Sequence, residues 1–169
     1  MFGPIAETIE TERLVLEPLA VDHAEEMAEV LGDPALHTFI GGEPATPAEL
    51  RTRYQRLVTG PAPYHQEGWL NWVVRRRADG QAVGTVQATV TPGVQGPQAS
   101  VAWVVGTPHQ GRGLAAEAAA ALVGWLRDRS VTDVLASIHP DNLASAGVAR
   151  RIGLQPTEQH AGDEVIWRG

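Results

Sequence analysis

Apolar residues recur along the chain with two spacings, one typical of strands and one typical of helices. Short alternating or continuous apolar runs predict strands at residues 13–17, 69–77, 82–90, 99–105, 131–138 and 164–168. The segment Ala78-Asp79-Gly80-Gln81 contains the Asp-Gly pair that is typical of a hairpin turn. The middle strands are therefore predicted to form an antiparallel meander.

Two helices are predicted between the first and second strands. Asp22 and Glu25 have the spacing of a capping box, and Gly32 would end that helix. Thr46-Pro47-Ala48-Glu49 is a stronger helix start, since it combines an N-cap residue, a proline at the first helical position and a glutamate at the third. Together these helices would form a cap able to cover a substrate.

A longer amphipathic helix is predicted from about residue 114 to about residue 130 because apolar residues recur there at helical spacing. It would connect strands 99–105 and 131–138 by a crossover, which places them parallel. A short helix over 142–151 would end at Gly153. The predicted fold class is α+β, with a mixed, mostly antiparallel sheet, a parallel β-α-β crossover and flanking helices. The length fits a single domain over residues 1–169.

Composition narrows the classes of function. The chain has no cysteine, which excludes disulfides, thiolate metal sites and a cysteine nucleophile. No pair of histidines has convincing metal-ligand spacing, so no metal is expected. The formal net charge of −7 argues against a nucleic-acid partner and favours a cationic amine as a ligand. Without a leader-like start or a long apolar run, a cytoplasmic location and no membrane contact are expected.

The most informative segment is a glycine-rich turn between the strand 99–105 and the long helix. Its sequence, Gln110-Gly111-Arg112-Gly113-Leu114-Ala115, fits neither the dinucleotide fingerprint nor a P-loop. A turn of this kind at a helix N-terminus directs backbone N–H groups at a phosphate, and Arg112 could add a charged contact. The alternative is a tight turn whose glycines serve only packing.

The turn resembles the pyrophosphate loop of the GCN5-related N-acetyltransferases, the GNAT superfamily. Further segments fall in the order and at roughly the spacing of the branch that contains ribosomal-protein N-terminal acetyltransferases. They are 13–19, 80–84, 139–145 and 151–154, so the resemblance covers about residues 11 to 168. It implies acetyl-CoA as cosubstrate and a GNAT-like sheet. Homodimers are common among such proteins, so a homodimer is a further expectation.

The resemblance also assigns residues to the cofactor. The strand before the turn would splay from its parallel neighbour, and the backbone of Trp103, Val104 and Val105 would hold the pantetheine arm and polarise the acetyl carbonyl. Asn142 would contact the same arm, and Ser145 would protonate the departing thiolate. The alternative is that Asn142 only caps a helix and Ser145 has no role. Glu117 is expected to bond the backbone of a neighbouring strand, a structural role.

The sequence departs from the family pattern where a base or an acid is often found. Ala149 stands where many members have a tyrosine, and Ser100 stands where others have a glutamate. The general base is therefore unassigned, with His37, His109 and His139 as candidates by residue type only.

The function predicted is direct transfer of an acetyl group from acetyl-CoA to a primary amine, either a peptide N-terminus or a small molecule. The alternative is a non-catalytic module that binds or senses acyl-CoA. Residues that select the acceptor are expected in the cap, 31–68, and in a terminal loop, 155–163.

Overall fold

The strands assemble into one mixed sheet in a computed structural model, which describes residues 2–169. Within that range the sheet has eight strands in the order β1-β2-β3-β4-β5-β6-β8-β7. Every neighbouring pair in it is antiparallel except β5 and β6, which are parallel, so the predicted α+β fold class is confirmed. The strands are β1 Ile9–Glu10, β2 Leu14–Pro18, β3 Gly68–Arg76, β4 Ala82–Thr91, β5 Gln98–Val105, β6 Asp133–Ile138, β7 Gln155–Ala161 and β8 Glu164–Arg168.

The helices lie between these strands much as the sequence predicts. They are α1 Ala24–Val30, α2 His37–Ile40, α3 Pro47–Thr59, α4 Leu114–Asp128 and α5 Leu143–Arg151, with short 3₁₀ helices at Val21–His23, Pro34–Leu36 and Thr107–His109. The predicted start of α3 is confirmed, since the Glu49 N–H donates to the Thr46 hydroxyl and the Thr46 N–H donates to Glu49 Oε1, both at 3.1 Å. No helix within residues 2–169 is both long and apolar enough to cross a membrane.

The predicted helix start at Asp22 is wrong. A 3₁₀ turn already begins at Val21, and Ala20 is the residue before it. The Ala20 N–H donates to His23 Nδ1 at 3.0 Å, so an imidazole takes the place of the carboxylate that the capping-box pattern implied.

The predicted loop over residues 155–163 is also wrong, because most of it is β7, an edge strand that pairs with β8. Six of the seven residues of β7 are exposed, so no apolar alternation marks the strand. Pro156 fits there because an edge strand does not need every N–H in a ladder. The two-residue strand β1 was likewise not predicted.

Helices cover both faces of the sheet. On one face, α4 buries Leu122 and Leu126 against sheet residues such as Trp72 and Val86. On the other face, α1 and α3 bury Met27 and Leu50 against Val73. We call these the α4 face and the cap face. Any route between the two faces must pass through the sheet or around its edge.

Candidate active site

The parallel strands β5 and β6 separate soon after they begin. They pair only at Gln98–Asp133, Ala99–Val134 and Ser100–Leu135, although β5 continues to Val105 and β6 to Ile138. Beyond the last pair the strands diverge and leave a gap in the sheet.

Backbone groups of β5 point into this gap. The Gly106 N–H donates to the Val83 carbonyl on the β4 side at 2.8 Å, and the register between β4 and β5 is unbroken. Successive residues of a strand alternate in direction, so the backbone groups of Val105 and Trp103 point away from β4 and into the gap. By the same alternation the backbone groups of Val104 point toward β4.

The glycine-rich turn lies at the open end of the gap. Gly111 and Gly113 have φ of +78° and +75°, in the left-handed region that L side chains rarely adopt. A Cβ at Gly111 would meet nothing within 4 Å, so conformation rather than crowding requires glycine there. The Gln110 side-chain amide donates to the Val105 carbonyl at 2.9 Å and ties the turn to the end of β5.

A cavity of about 530 Å³ runs from this turn along the gap to α5. Its volume lies within the range of about 300–1,000 Å³ that is usual for small-molecule and cofactor sites. It is lined by every residue that the sequence assigned to the cofactor or to acid catalysis except Arg112: Trp103, Val104, Val105, Gln110, Gly111, Gly113, Leu114, Ala115, Asn142 and Ser145. The Arg112 residue is exposed, and its backbone carbonyl accepts a hydrogen bond from Arg13 Nη1 at 3.0 Å.

Two arginines that sequence reasoning missed stand at the start of α4. Arg151 lines the cavity, and a Cβ placed on Gly113 would lie 3.7 Å from Arg151 Nη1 and 3.6 Å from Arg13 Nη2. The N–H groups of the first helical turn have no partner within the helix, so donors and positive charge converge at this point. The chain segments are remote in sequence, and only the fold brings these side chains together.

Glu117 fixes Arg13 in place. Its carboxylate accepts hydrogen bonds from the Thr11 hydroxyl at 2.6 Å, the Arg13 backbone N–H at 3.0 Å and Arg13 Nε at 2.7 Å. Partial burial opposes ionisation of Glu117, but the hydrogen bonds from Thr11 and Arg13 outweigh it and lower the pKa of the carboxyl group. The predicted structural role is confirmed, because one of these bonds joins the helix to the backbone just before β2.

Asn142 and Ser145 share the first turn of α5. Asn142 Oδ1 accepts a hydrogen bond from the Ser145 N–H at 3.2 Å, so Asn142 does cap the helix. Both residues also line the 530 Å³ cavity and a neighbouring cavity of about 250 Å³. Within residues 2–169 the Ser145 hydroxyl makes no hydrogen bond, which leaves it available to a ligand.

The 250 Å³ cavity crosses the sheet through the gap. Glu164, at the start of β8, is the one carboxylate among its described lining residues, which also include His139. His139 Nδ1 accepts the Asp141 N–H at 3.1 Å, which leaves Nε2 to carry the proton of the neutral ring. Sequence reasoning missed Glu164, because nothing local distinguishes it from the other acidic residues.

The remaining candidate histidines are engaged or displaced from this cavity. His37 places Nδ1 3.3 Å from the Gly41 carbonyl and Nε2 3.3 Å from the Leu31 carbonyl. His109 lines the 530 Å³ cavity, and burial, together with the charges of Arg76 and Arg112, lowers its pKa. Among the described residues, no group of three or more histidines and carboxylates is placed to hold a metal ion.

On the cap face, a cavity of about 170 Å³ lies between α3 and the sheet. Val104 lines this cavity as well as the two described above, so all three converge at one residue of β5. Tyr54 also lines it, and its hydroxyl is buried with no hydrogen-bond partner among residues 2–169. The indole N–H of Trp103, a residue that lines both larger cavities, is buried and unpartnered in the same way. Buried donors are normally satisfied, so these two groups are available to donate to a ligand that enters the cavities.

A mixed sheet that opens at its one parallel pair, with a glycine turn and a helix N-terminus at the mouth of the opening, defines an acyltransferase architecture. Residues 13–155 match the family model described as the acetyltransferase (GNAT) domain. The chain belongs to the GNAT acetyltransferases, and the resemblance seen in the sequence is confirmed.

Solved structures agree over nearly the whole chain. An acetyltransferase from Agrobacterium tumefaciens is 26% identical, with 97% of this chain and 94% of that one covered and a TM-score of 0.71. The Salmonella typhimurium acetyltransferase that modifies the N-terminal serine of ribosomal protein L7/L12 is 18% identical, with 96% and 98% covered and a TM-score of 0.77. RimL, a ribosomal L7/L12 α-N-protein acetyltransferase in complex with coenzyme A, is 16% identical, with 96% and 97% covered and a TM-score of 0.79. No curated protein matches the chain.

Proposed function

We propose that this GNAT acetyltransferase uses acetyl-CoA and transfers the acetyl group directly to a primary amine. The observation that carries the proposal is the gap between β5 and β6, where a cofactor-sized cavity on the α4 face meets a smaller cavity on the cap face at Val104. A transferase needs two substrates to meet at one point, whereas a module that only senses acyl-CoA needs no second pocket there. The coenzyme A complex of RimL supports the choice of cofactor.

In this proposal the diphosphate of acetyl-CoA lies at the glycine turn. The free N–H groups of the first turn of α4 would donate to its oxygens, and Arg151 and Arg13 would add charge-assisted contacts. The pantetheine arm would occupy the gap in the manner of an added strand. It would bond to the backbone groups of Trp103 and to the N–H of Val105, which β6 leaves unpaired, and one of the two N–H groups would polarise the acetyl carbonyl.

Side chains at the gap would move the protons. Glu164 is placed to accept a proton from the amine, directly or through a water molecule, as the amine nitrogen bonds to the carbonyl carbon. The carbon–sulfur bond then breaks, and Ser145, which lines both cavities, would protonate the departing thiolate. Since the sequence has no cysteine, no thiol is present to carry an acetyl-enzyme.

The test is a set of three measurements on one preparation. Calorimetry with acetyl-CoA should show saturable binding, and thiol release on adding primary amines should show turnover with intersecting initial-rate plots. Intact-mass spectrometry of the protein held with acetyl-CoA alone should show no added acetyl group. Parallel rate plots with a stable acetylated residue would overturn direct transfer. Binding without turnover of any amine would favour the sensing module.

A further inference from the structure

The cap-face cavity continues into a second cavity of about 200 Å³, and both have Leu57, Asn71 and Gln87 in their walls. We call the two together the acceptor cleft. It lies between α3 and strands β3 and β4, on the opposite face of the sheet from α4, and it shares Val104, Leu36, Thr85 and Gln87 with the cavities at the gap.

The charge of the cleft is the reverse of the charge of the whole chain. Arg53 lines one cavity and Arg56 the other, and no carboxylate is among the described residues that line either one. Within residues 2–169 neither guanidinium is in a salt bridge, whereas Arg51 on the same helix pairs with Glu25. The chain has a net charge of −7, so carboxylates are abundant elsewhere in it. Two arginines without salt bridges in a cleft without carboxylates therefore favour a ligand with an anionic group.

The nearest acid on α3 does not neutralise Arg53. Glu49, one turn earlier, accepts the Thr46 N–H and is held in the capping box at the start of the helix. Hydrogen bonds from Thr46, and to a smaller extent the positive charge of Arg53, lower the pKa of Glu49. The Glu49 and Arg53 side chains are nevertheless not within salt-bridge distance of each other. Arg53 is an exposed residue that lines the cleft and has no salt-bridge partner among residues 2–169.

Neutral polar groups beside Arg53 also lack partners. Tyr54 is only 4% exposed, and burial raises the pKa of its hydroxyl to about 12, so the group stays protonated and can donate. Asn71 and Gln87 lie directly opposite each other on β3 and β4, and neither side-chain amide is hydrogen-bonded within the described residues. The cleft therefore offers a cation and several unused donors within one small volume.

We propose that the acceptor is a small amine that also carries a carboxylate group, and that Arg53 binds the carboxylate while Tyr54 donates a hydrogen bond to the same molecule. This inference rests on the proposed function and specifies its acceptor. The amine would point through the cleft toward Val104, where the thioester arrives. The part of the cleft that Arg53 and Tyr54 line, a cavity of about 170 Å³, is smaller than the roughly 300 Å³ at which drug-sized sites begin, so this part suits a molecule the size of an amino acid.

The experiment compares free amino acids with their carboxamides as acceptors in the wild type and in Arg53→Gln. Each carboxamide keeps the amine and the side chain but lacks the negative charge. For each protein we take the ratio of kcat/KM for the amino acid to kcat/KM for its carboxamide. Dividing the wild-type ratio by the Arg53→Gln ratio cancels the difference in amine basicity between the two acceptors. We expect this quotient to be about tenfold or more, the size of a charge-assisted hydrogen bond. Arg127→Gln, at the far end of α4, is the matched control and should leave the ratio unchanged.

Tyr54→Phe gives an independent readout. If the hydroxyl serves the acceptor, kcat/KM for amino acids falls several-fold, while the melting temperature stays level or rises because an unsatisfied buried group has been removed. A quotient near one for Arg53, or a Tyr54→Phe variant that loses stability but not activity, overturns the proposal.

Binding separates this inference from the proposed function. If no amine is acetylated, calorimetry of amino acids in the presence of coenzyme A still tests whether the cleft binds them. Binding to the wild type but not to Arg53→Gln supports the cleft assignment even though the transfer function has failed. Absence of any binding of amino acids, with acetyl-CoA bound normally, rejects the assignment.

Discussion

The two faces of the sheet are built in different ways. On the α4 face nine of the twenty residues that line the cavity come from one continuous stretch, residues 103–115, in which a strand, a turn and a helix start follow each other. On the cap face, Arg53, Asn71, Gln87 and Val104 come from four different elements. A site made of local backbone geometry is readable as a motif, and a site made of distant side chains is not. The cofactor half of the site could therefore be predicted, and the acceptor half could not.

The largest effect is expected where the two faces meet. Glu164→Gln keeps the shape of the side chain but cannot accept the proton, so we expect kcat to fall by at least about 10²-fold at neutral pH.

Ser145→Ala removes the proton donor and should lower kcat by about 10²-fold with little change in acetyl-CoA affinity. Steady-state kinetics and calorimetry measure both.

The matched control for Glu164 is Glu158→Gln on the exposed strand β7, which should behave as the wild type. The deficit of Glu164→Gln should also shrink as pH rises toward the pKa of the amine, since the acceptor then loses its proton without help. Wild-type turnover in Glu164→Gln would show that solvent takes the proton.

A smaller effect is expected on the α4 face alone. Arg151→Ala removes a guanidinium beside Gly113, and we expect acetyl-CoA affinity to fall about tenfold, or about 1.4 kcal/mol. The acceptor KM should not change, because the cap face is untouched. Arg127→Ala at the other end of α4 is the control in calorimetry, and equal affinities in the two variants would contradict the diphosphate placement.

Glu117→Gln should lower stability by about 1–2 kcal/mol at neutral pH, because it replaces charge-assisted hydrogen bonds from Thr11 and Arg13 with weaker ones. The folded-state pKa of Glu117 is lowered, so its contribution is present above the unfolded pKa near 4.5 and is lost as pH falls through the folded value. The unfolding free energies of wild type and variant, measured by chemical denaturation, should therefore converge once the pH falls below the lowered folded-state pKa of Glu117. A difference that persists at low pH would show that packing, not charge, is responsible.

The smallest effect is expected on the cap face alone. Thr46→Ala removes the hydroxyl that accepts the Glu49 N–H and should cost about 1 kcal/mol of stability. Because α3 carries Arg53 and Tyr54, the acceptor KM should rise while acetyl-CoA affinity stays constant. Thr52→Ala, in the middle of the same helix, is the control in thermal unfolding and kinetics. A change in cofactor affinity would show that the two faces are not independent.

The failures of sequence reasoning about the fold have two causes. The edge strand β7 is almost wholly exposed and so lacks an apolar alternation, and at the first helix the His23 side chain takes the Ala20 N–H that the capping-box pattern assigned to a carboxylate. The strong predictions, α3, α4 and the hairpin of β3 and β4, rest on caps, apolar periodicity and a turn, all of which act within a few residues.

By itself the sequence determined most of the strands and helices, the glycine turn and the family to which they belong, because these follow from short-range backbone preferences and apolar spacing. The tertiary structure decided which charges meet. Packing α5 beside α4 sets Arg151 at Gly113, and pairing β8 with β6 sets Glu164 in the cavity that holds Ser145. Electrostatic and hydrogen-bond contacts act over a few ångströms in space whatever the separation along the chain. The chemistry of this site therefore exists only once the strands and helices have packed together.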